Sequence, residues 1–263
     1  MLLTDFDPSK KAIINPEDLH ERLEGFPKIA VSCFSRTTFE RMLHMFPHEE
    51  IHGTSMANVA IPIYKMTIGQ QELAVFNSPV GAPACVAILE DIVALGAEKL
   101  VLFGTCGVLD EDIKETSIIL PTHALRDEGT SFHYAAAGEE LPVNRALAPF
   151  FTAFLEERGI SYRKGKVWTT DGIYRETVDK LRKRKAAGAI CVDMECSAVA
   201  AWADFRQVQV CHFFYAADHL SEGNWDARNL MNHADLDEKD KVALLALEFA
   251  VTWNEQGYET SNY

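Results

Sequence analysis

The sequence lacks a long apolar run, a Cys-x-x-Cys pair and a close cluster of cysteines and histidines. Without such a run there is no membrane-spanning segment, and the N-terminal MLLTDFDPSKK has no signal-peptide core, so we predict a cytoplasmic protein. Without such clusters, neither a disulfide framework nor a metal site is predicted. The six cysteines lie in apolar or small-residue runs, which favours buried, reduced thiols.

Basic residues are also scarce, with 25 Lys and Arg against 39 Asp and Glu and a net charge of −14. Such a charge repels nucleic acids and anionic membrane surfaces, so neither is predicted as a partner. An anionic small molecule would bind only where a few donors converge. The 263 residues show no repeat and no break in composition, which indicates a single domain over residues 1–263.

Short apolar runs alternate with helix-like segments along the chain. Strands are predicted at 29–33, 60–68, 71–77, 99–103, 116–120, 165–170, 189–192 and 207–216. Helices are predicted at 15–24, 36–46, 83–97, 145–158, 174–188, 194–205 and 237–253. This alternation predicts a three-layer α/β fold, in which helices flank a mixed, largely parallel central sheet.

Polar motifs follow the predicted strands. In open α/β sheets, ligands bind beyond the carboxyl ends of the strands, so these motifs are candidates for a common site. They are FSR ending at Arg36, SPVGAP (78–83), GTCG (104–107), RDEGTS (126–131), TTDG (169–172), DMEC (193–196) and the pair Asp218-His219.

Each motif also has an ordinary structural interpretation. Asp193 and Glu195 complement the dipole of a following helix, and taken alone that interpretation is preferred. His219 is better explained as a core imidazole than as a catalytic one. Asp218 ends an intensely apolar strand, where an unpaired acid is costly, so it either caps the next segment or serves as a proton donor. Arg126 either forms a local ion-pair cluster or has a functional role.

Taken in order, the motifs resemble those of the nucleoside phosphorylase family of the purine nucleoside and uridine phosphorylase type, which has 5′-methylthioadenosine nucleosidase relatives. The resemblance covers roughly residues 28–250. SPVGAP, FGTCG, TTDGIYRET, VDMECSAVA and AADHL match the family's motifs in the correct order. The combination is more specific than any one of these motifs.

The resemblance implies that phosphate attacks the anomeric carbon of a nucleoside while the base leaves. Glu195 would hold the ribose hydroxyls and Met194 would pack on the sugar. Asp218 would protonate or hydrogen-bond a leaving purine at N7. Ile173 falls where the family places an aromatic under the base. Asp193, as a support or a base-side contact, and Thr170 complete the implied substrate site.

On the phosphate side, the resemblance implies donors from Gly81, Thr105 and Arg36. The family usually has an arginine two residues before the glycine of the strand-end motif, where this chain has Leu102. Arg126 is the candidate to replace that lost cation. No metal or organic cofactor is implied, and phosphate is a co-substrate.

Three functions follow from the resemblance and its departures. The first is a phosphorylase, with purines favoured and uridine as the alternative base. The second is a phosphate-independent nucleosidase, motivated by Leu102. The third is a non-catalytic nucleoside binder. Because family members form dimers or hexamers, a homo-oligomer is expected, with a nucleoside and phosphate as its small-molecule partners.

Overall fold

The fold is described by a computed structural model, which covers residues 2–228, 230 and 235–256. These residues contain eleven β-strands and six α-helices. The strands are β1 (Ile29–Cys33), β2 (His48–Met56), β3 (Val59–Ile68), β4 (Gln71–Asn77), β5 (Lys99–Val108), β6 (Ile118–Asp127), β7 (Glu140–Pro142), β8 (Tyr162–Thr170), β9 (Ala189–Asp193), β10 (Gln209–Leu220) and β11 (Trp225–Asp226). The helices are α1 (Arg36–Leu43), α2 (Ala82–Leu95), α3 (Ala148–Glu157), α4 (Val178–Ala186), α5 (Cys196–Arg206) and α6 (Leu236–Gln256).

All eleven strands belong to one mixed sheet. Its order is β11-β10-β6-β8-β9-β5-β1-β4-β3-β2, and β7 pairs with β6. Because β10 also pairs with β5, the strands β5, β10, β6, β8 and β9 close into a ring. The core pairings β4–β1–β5–β10 and β6–β8–β9 are parallel, so the carboxyl ends within each set lie at one edge.

Helices cover both faces of the sheet, which confirms the predicted three-layer α/β fold. On one face, α1, α3 and α6 bury side chains such as Met42, Phe151 and Phe249 against the strands. On the other face, α2 and α5 contribute Leu89 and Trp202. The runs of fully buried residues in the central strands follow from this double covering.

Helix α2 begins immediately after Gly81, which has a φ of 101°. A side chain would be strained in that conformation, so glycine is needed where the chain turns from the strand into the helix. Pro83 lies in the first turn, where its missing N–H costs no hydrogen bond. Gly81 therefore presents its backbone N–H at the carboxyl edge of the sheet.

Most predicted elements are confirmed, although their ends shift. Strand β6 runs on to Asp127, so Arg126 lies on a strand and not in a loop. Strand β2 was not predicted, because its exposed HEEIHGTSM has no apolar alternation. The six cysteines are buried and free, as expected. None of the helices in the described residues is long and apolar enough to cross a membrane.

The helix predicted at 15–24 is wrong. The start signal is real, since the Asn15 N–H donates to the Asp18 carboxylate at 2.8 Å, but it yields only a 3₁₀ turn at Pro16–Asp18. The following residues bind α2 instead. The His20 ring lies 3.2 Å from the Asp91 carboxylate, and the Leu23 N–H donates to the Leu95 carbonyl. These contacts replace the i to i−4 ladder that a helix would need.

Candidate active site

Strand register brings several of the sequence motifs together. Along the parallel strands β6, β8 and β9, Arg126 is paired with Thr169, and Thr169 with Asp193. Side chains at the carboxyl ends of these strands therefore line one edge. The RDEGTS, TTDG and DMEC motifs lie together there, although about 40 residues of sequence separate the first from the second and about 20 separate the second from the third.

Asp193 shapes the turn into α5. One of its carboxylate oxygens accepts the Thr169 hydroxyl at 2.7 Å, and the other accepts the backbone N–H groups of Glu195 and Cys196 at 2.9 and 2.7 Å. Burial raises the pKa of Asp193 to about 6, although these donors work in the opposite direction. The many bonds within the chain make Asp193 a support for Glu195, one of the two roles that the sequence left open.

Glu195 is buried, with 5% of its surface exposed, and it begins α5. Its Oε1 accepts the Gly81 N–H at 2.6 Å, a contact between residues 114 positions apart in the sequence. Burial, and then the charge of Asp193, raises the pKa of Glu195 to about 8. A buried carboxyl group with a raised pKa beside a glycine turn is typical of a functional site.

Asp218 lies near the end of β10 and is also buried. Its Oδ2 accepts the indole N–H of Trp225 at 2.7 Å. The last glycine of GTCG lies beside it, and a Cβ on Gly107 would be 3.1 Å from Asp218 Oδ1. Burial raises the pKa of the Cys106 thiol most, and the neighbouring Cys191 and the charges of Asp193 and Asp218 raise it further.

The remaining predicted substrate residues lie around these acids. Thr170 is buried, and its hydroxyl accepts the Gly172 N–H at 3.2 Å. Met194 is half-buried between the two acids of its motif. Ile173 begins a 3₁₀ turn and is 52% exposed, so it is accessible to a base or to another chain.

The predicted phosphate side carries few charges. Arg36 begins α1, and its exposed guanidinium lies 3.5 Å from the Glu40 carboxylate. Thr105 is half-buried on β5. Leu102 is fully buried in the core under α2 and α5, where an unpaired arginine would be costly.

An aromatic ring covers part of the same edge. A Cβ on Gly104 would be 2.7 Å from the Phe34 ring, so the ring packs directly on the first glycine of GTCG. Phe34 also stacks on His212, which lies beside Leu102 in the sheet. Both ring nitrogens of His212 are buried without a partner among the described residues, and burial lowers its pKa to about 3. The surroundings of Leu102 are therefore apolar and uncharged.

Arg126 has a different position from the one predicted. Its guanidinium donates to the Ser131 hydroxyl at 2.9 Å and to the carbonyls of Ala136 and Ala135 at 2.6 and 3.2 Å. It also stacks on the Phe132 ring, 3.9 Å from the centroid. The arginine holds the loop after β6, and a phosphate contact would require it to give up these bonds. These contacts give Arg126 a structural role in this loop, and its contact with phosphate stays a prediction.

Sequence reasoning missed several residues of this edge. Glu128 is buried and accepts the Ser197 hydroxyl at 2.8 Å and the Ser131 N–H at 2.9 Å, which ties the loop after β6 to α5. Trp225 and Glu176 lie beside Asp218. Glu128 and Glu176 lie within the RDEGTS and TTDGIYRET motifs, but no local pattern indicates their contacts, because Ser197 and Asp218 are distant from them in the sequence. No group of three or more metal-ligating side chains occurs in the described ranges.

Comparisons with known proteins identify the family and the fold of the chain. The model of the phosphorylase superfamily matches residues 28–249. A DeoD-type purine nucleoside phosphorylase of Bacillus cereus is 25% identical over 160 residues, which are 58% of this chain and 66% of that protein. An uncharacterized protein of Acanthamoeba polyphaga mimivirus is 28% identical over 174 residues, 64% of this chain and 68% of that protein.

Solved structures show the same fold. The uridine phosphorylase of Vibrio fischeri ES114 superposes with a TM-score of 0.72 at 19% identity, covering 87% of this chain and 93% of that one. The purine nucleoside phosphorylase of Toxoplasma gondii, solved in complex with immucillin-H, gives a TM-score of 0.73 at 18% identity, with 89% and 93% covered. These relatives, and the Bacillus enzyme, are named as nucleoside phosphorylases, which are pentosyltransferases.

Proposed function

Because the chain belongs to the phosphorylase superfamily, we propose that it cleaves the N-glycosidic bond of a purine nucleoside with phosphate. A phosphate oxygen attacks the anomeric carbon, the carbon–nitrogen bond breaks, and its electron pair leaves with the base. The products are the free base and ribose 1-phosphate. The observation that carries this proposal is the bond from Gly81 to the buried Glu195, with Asp218 near the end of β10.

Glu195 is proposed to act on the sugar. As the base leaves, positive charge develops on the ribose, and an ionised carboxylate in a water-poor site stabilises that charge. The same oxygens accept hydrogen bonds from the ribose hydroxyls, and the Gly81 N–H holds one of them in place. Asp218 then supplies a hydrogen bond or a proton to N7 of the leaving purine.

The acceptor is proposed to be phosphate, bound by Arg36 and Thr105. The backbone N–H of Gly81, the third donor that the resemblance implies, donates to Glu195 in this structure. Arg36 contributes the positive charge, because Leu102 is apolar and Arg126 is bonded to its loop. The side chain of Arg36 is 83% exposed and its pairing with Glu40 is long, at 3.5 Å, so it is free to turn towards an anion.

Removing the Arg36 charge tests this role. Arg36→Ala is expected to raise KM for phosphate about tenfold, because a charge-assisted bond to a partly hydrated anion is lost. KM for the nucleoside should stay the same. Arg145→Ala, which removes an exposed charge elsewhere, serves as the matched control. An unchanged KM for phosphate in Arg36→Ala would remove Arg36 from the site.

Hydrolysis is the second candidate, and the apolar surroundings of Leu102 favour it. Phe34 packs on Gly104, and neither Leu102 nor His212 offers a positive charge to an anion. Water would then be the nucleophile, while Glu195 and Asp218 would keep their roles. The products would be the base and free ribose.

One assay separates these functions. The protein is mixed with inosine, adenosine, guanosine or uridine, with and without phosphate, and the base, ribose and ribose 1-phosphate are measured. We expect base release that requires phosphate and yields ribose 1-phosphate. Release of ribose in phosphate-free buffer would identify a nucleosidase. Binding by calorimetry without turnover would leave a non-catalytic binder and refute the proposed reaction.

We also propose that the protein works as a cytoplasmic homo-oligomer, a dimer or a hexamer. The six free, buried cysteines suit a reducing compartment. Val80, Ile173 and Tyr174, from two of the motif loops, are 60%, 52% and 95% exposed, an apolar surface that a second copy would cover. Sedimentation equilibrium measures the mass directly, and a monomer at assay concentration would contradict the assembly.

A further inference from the structure

Helix α5 has Glu195 at its N-cap position but is not capped by that side chain. The Glu195 side chain makes no capping hydrogen bond to its own helix, and its carboxylate accepts the N–H of Gly81 instead. N–H groups of the first turn, which have no partner within a helix, are satisfied from outside it. Asp193 accepts two of them, and the Thr169 hydroxyl accepts the N–H of Ser197 at 3.1 Å. These contacts leave the Glu195 carboxylate to the turn before α2.

A third acid, Glu128, extends this arrangement to the loop after β6. It is buried, with 5% of its surface exposed. One of its oxygens accepts the Ser197 hydroxyl at 2.8 Å, and the other accepts the Ser131 N–H at 2.9 Å. An ionised carboxylate has two acceptor oxygens, and here each of them has a donor. Arg126 donates to the Ser131 hydroxyl at 2.9 Å, so an arginine and an acid hold the same loop residue.

Ser197 is the residue that joins Glu128 to the candidate active site. Its hydroxyl donates to Glu128, while its N–H donates to Thr169. The hydroxyl of Thr169 in turn donates to Asp193 at 2.7 Å. Ser197 and Thr169 are fully buried. Because water does not reach these groups to replace a lost hydrogen bond, a change at Glu128 is transmitted to the first turn of α5.

Building on the proposed function, we propose that Glu128 is a positioning residue that acts through Ser197 to hold the Glu195 carboxylate in place for the ribose. Ser197 lies two positions after Glu195 at the start of the same helix, so a shift of that turn moves the Glu195 backbone. A displacement of about 1 Å in a catalytic group can lower a rate about 100-fold. Glu128 does not contact the substrate in this assignment.

The substitutions Ser197→Ala and Glu128→Gln interrupt this connection in different ways. The first removes the hydroxyl, and the second leaves one acceptor oxygen where two donors need one each. We expect either change to lower kcat about 10-fold and to leave KM for phosphate within about twofold. In the Glu195→Gln background, the same changes should lower kcat less than about twofold, since the charge that they position is already absent.

Glu139→Gln is the matched control, because it removes an exposed acid from the same loop between β6 and β7. It should leave kcat and both KM values unchanged. Thermal unfolding confirms that each variant is folded, and the two interrupting variants test the same connection independently.

Hydrogen exchange reports the position of Glu195 without any substrate. The Gly81 N–H donates to Glu195 at 2.6 Å, so its exchange with solvent is slow while that bond is intact. Gly96, just after the other end of α2, donates to the Val93 carbonyl at 3.1 Å and reports general unfolding. With isotope-labelled glycine, NMR follows both amides. We expect Gly81 to exchange about 10-fold faster in the two interrupting variants, while the exchange of Gly96 stays unchanged.

The outcomes are distinct. Unchanged exchange of Gly81 in both variants would overturn the assignment, and an equal acceleration at Gly96 would do so by giving Glu128 a role in stability alone. A loss of kcat that is equally large in the wild-type and Glu195→Gln backgrounds would also overturn it. If the wild-type protein cleaves no nucleoside, the proposed reaction fails, and the exchange of Gly81 and Gly96 still decides the role of Glu128.

Discussion

Replacing Glu195 with Gln is expected to lower kcat/KM by about 10²- to 10³-fold, because the carboxylate charge that stabilises the ribosyl cation is lost. The amide keeps the shape of the side chain and can still accept the Gly81 N–H, which now lies at 2.6 Å from Oε1. The protein should therefore remain folded, with an unchanged or slightly higher unfolding temperature, since a buried acid is removed.

A pH profile makes the Glu195 prediction specific. The pKa of Glu195 is raised to about 8, so its ionised form accumulates as the pH rises towards that value. If the ionised form is the active one, wild-type kcat/KM rises about tenfold per pH unit below this pKa and then levels off. Glu195→Gln should lose this rise.

The control for this prediction is Glu157→Gln, which removes an exposed carboxylate at the end of α3 and should leave the rate and the profile unchanged. A Glu195→Gln enzyme with nearly full activity would show that the charge does not act on the sugar. A flat wild-type profile across neutral and mildly alkaline pH would show that Glu195 does not titrate in the active enzyme.

Replacing Asp218 with Asn is expected to lower kcat for guanosine and inosine by about 10²- to 10³-fold, because protonation of the leaving base at N7 is lost. The asparagine can still accept the indole N–H that Asp218 now accepts at 2.7 Å, so the β10–β11 turn should keep its position. Initial rates with saturating nucleoside measure this effect.

A substrate that needs no proton provides the matched control. In 7-methylguanosine the base already carries a positive charge and leaves as a neutral molecule, so Asp218→Asn should slow its cleavage only several-fold, a small share of the general acid–base contribution. An equal loss on both substrates would assign Asp218 to binding or structure and not to proton transfer. Full activity on guanosine would remove it from the reaction.

The acids at the strand ends and the apolar surroundings of Leu102 concern different parts of the mechanism. The roles proposed for Glu195 and Asp218 would serve cleavage by either phosphate or water. Leu102 and the Phe34 ring on Gly104 carry no positive charge, which leaves Arg36 as the cation proposed for phosphate. Arg36 begins α1, shortly after the end of β1, whereas Glu195 follows β9 and Asp218 lies near the end of β10. Which molecule attacks the sugar and which bond is cleaved are therefore separate questions about this site. The assay with and without phosphate answers only the first.

The sequence by itself determined the order of strands and helices, the layer architecture and the placement of polar motifs at strand ends. Apolar runs such as Ile29–Cys33 are read correctly because burial on both faces needs only local apolar residues. The start signal at Asn15 was also read correctly, but contacts with α2 decided that no helix follows. A local sequence signal indicates a preference for a helix, and tertiary contacts override that preference here.

Only the tertiary structure decided which partners the site residues have. Arg126 binds loop carbonyls, Glu195 accepts the N–H of Gly81, which is 114 positions away in the sequence, and Asp218 accepts the indole N–H of Trp225. The ring of strands closes where β5 pairs with β10, and this closure brings residues of the site close to one another. The two strands lie about 100 residues apart in the sequence. Such pairings cannot be predicted from a local sequence pattern, because a residue of any type can pair with many others. The folded sheet brings only one of them close.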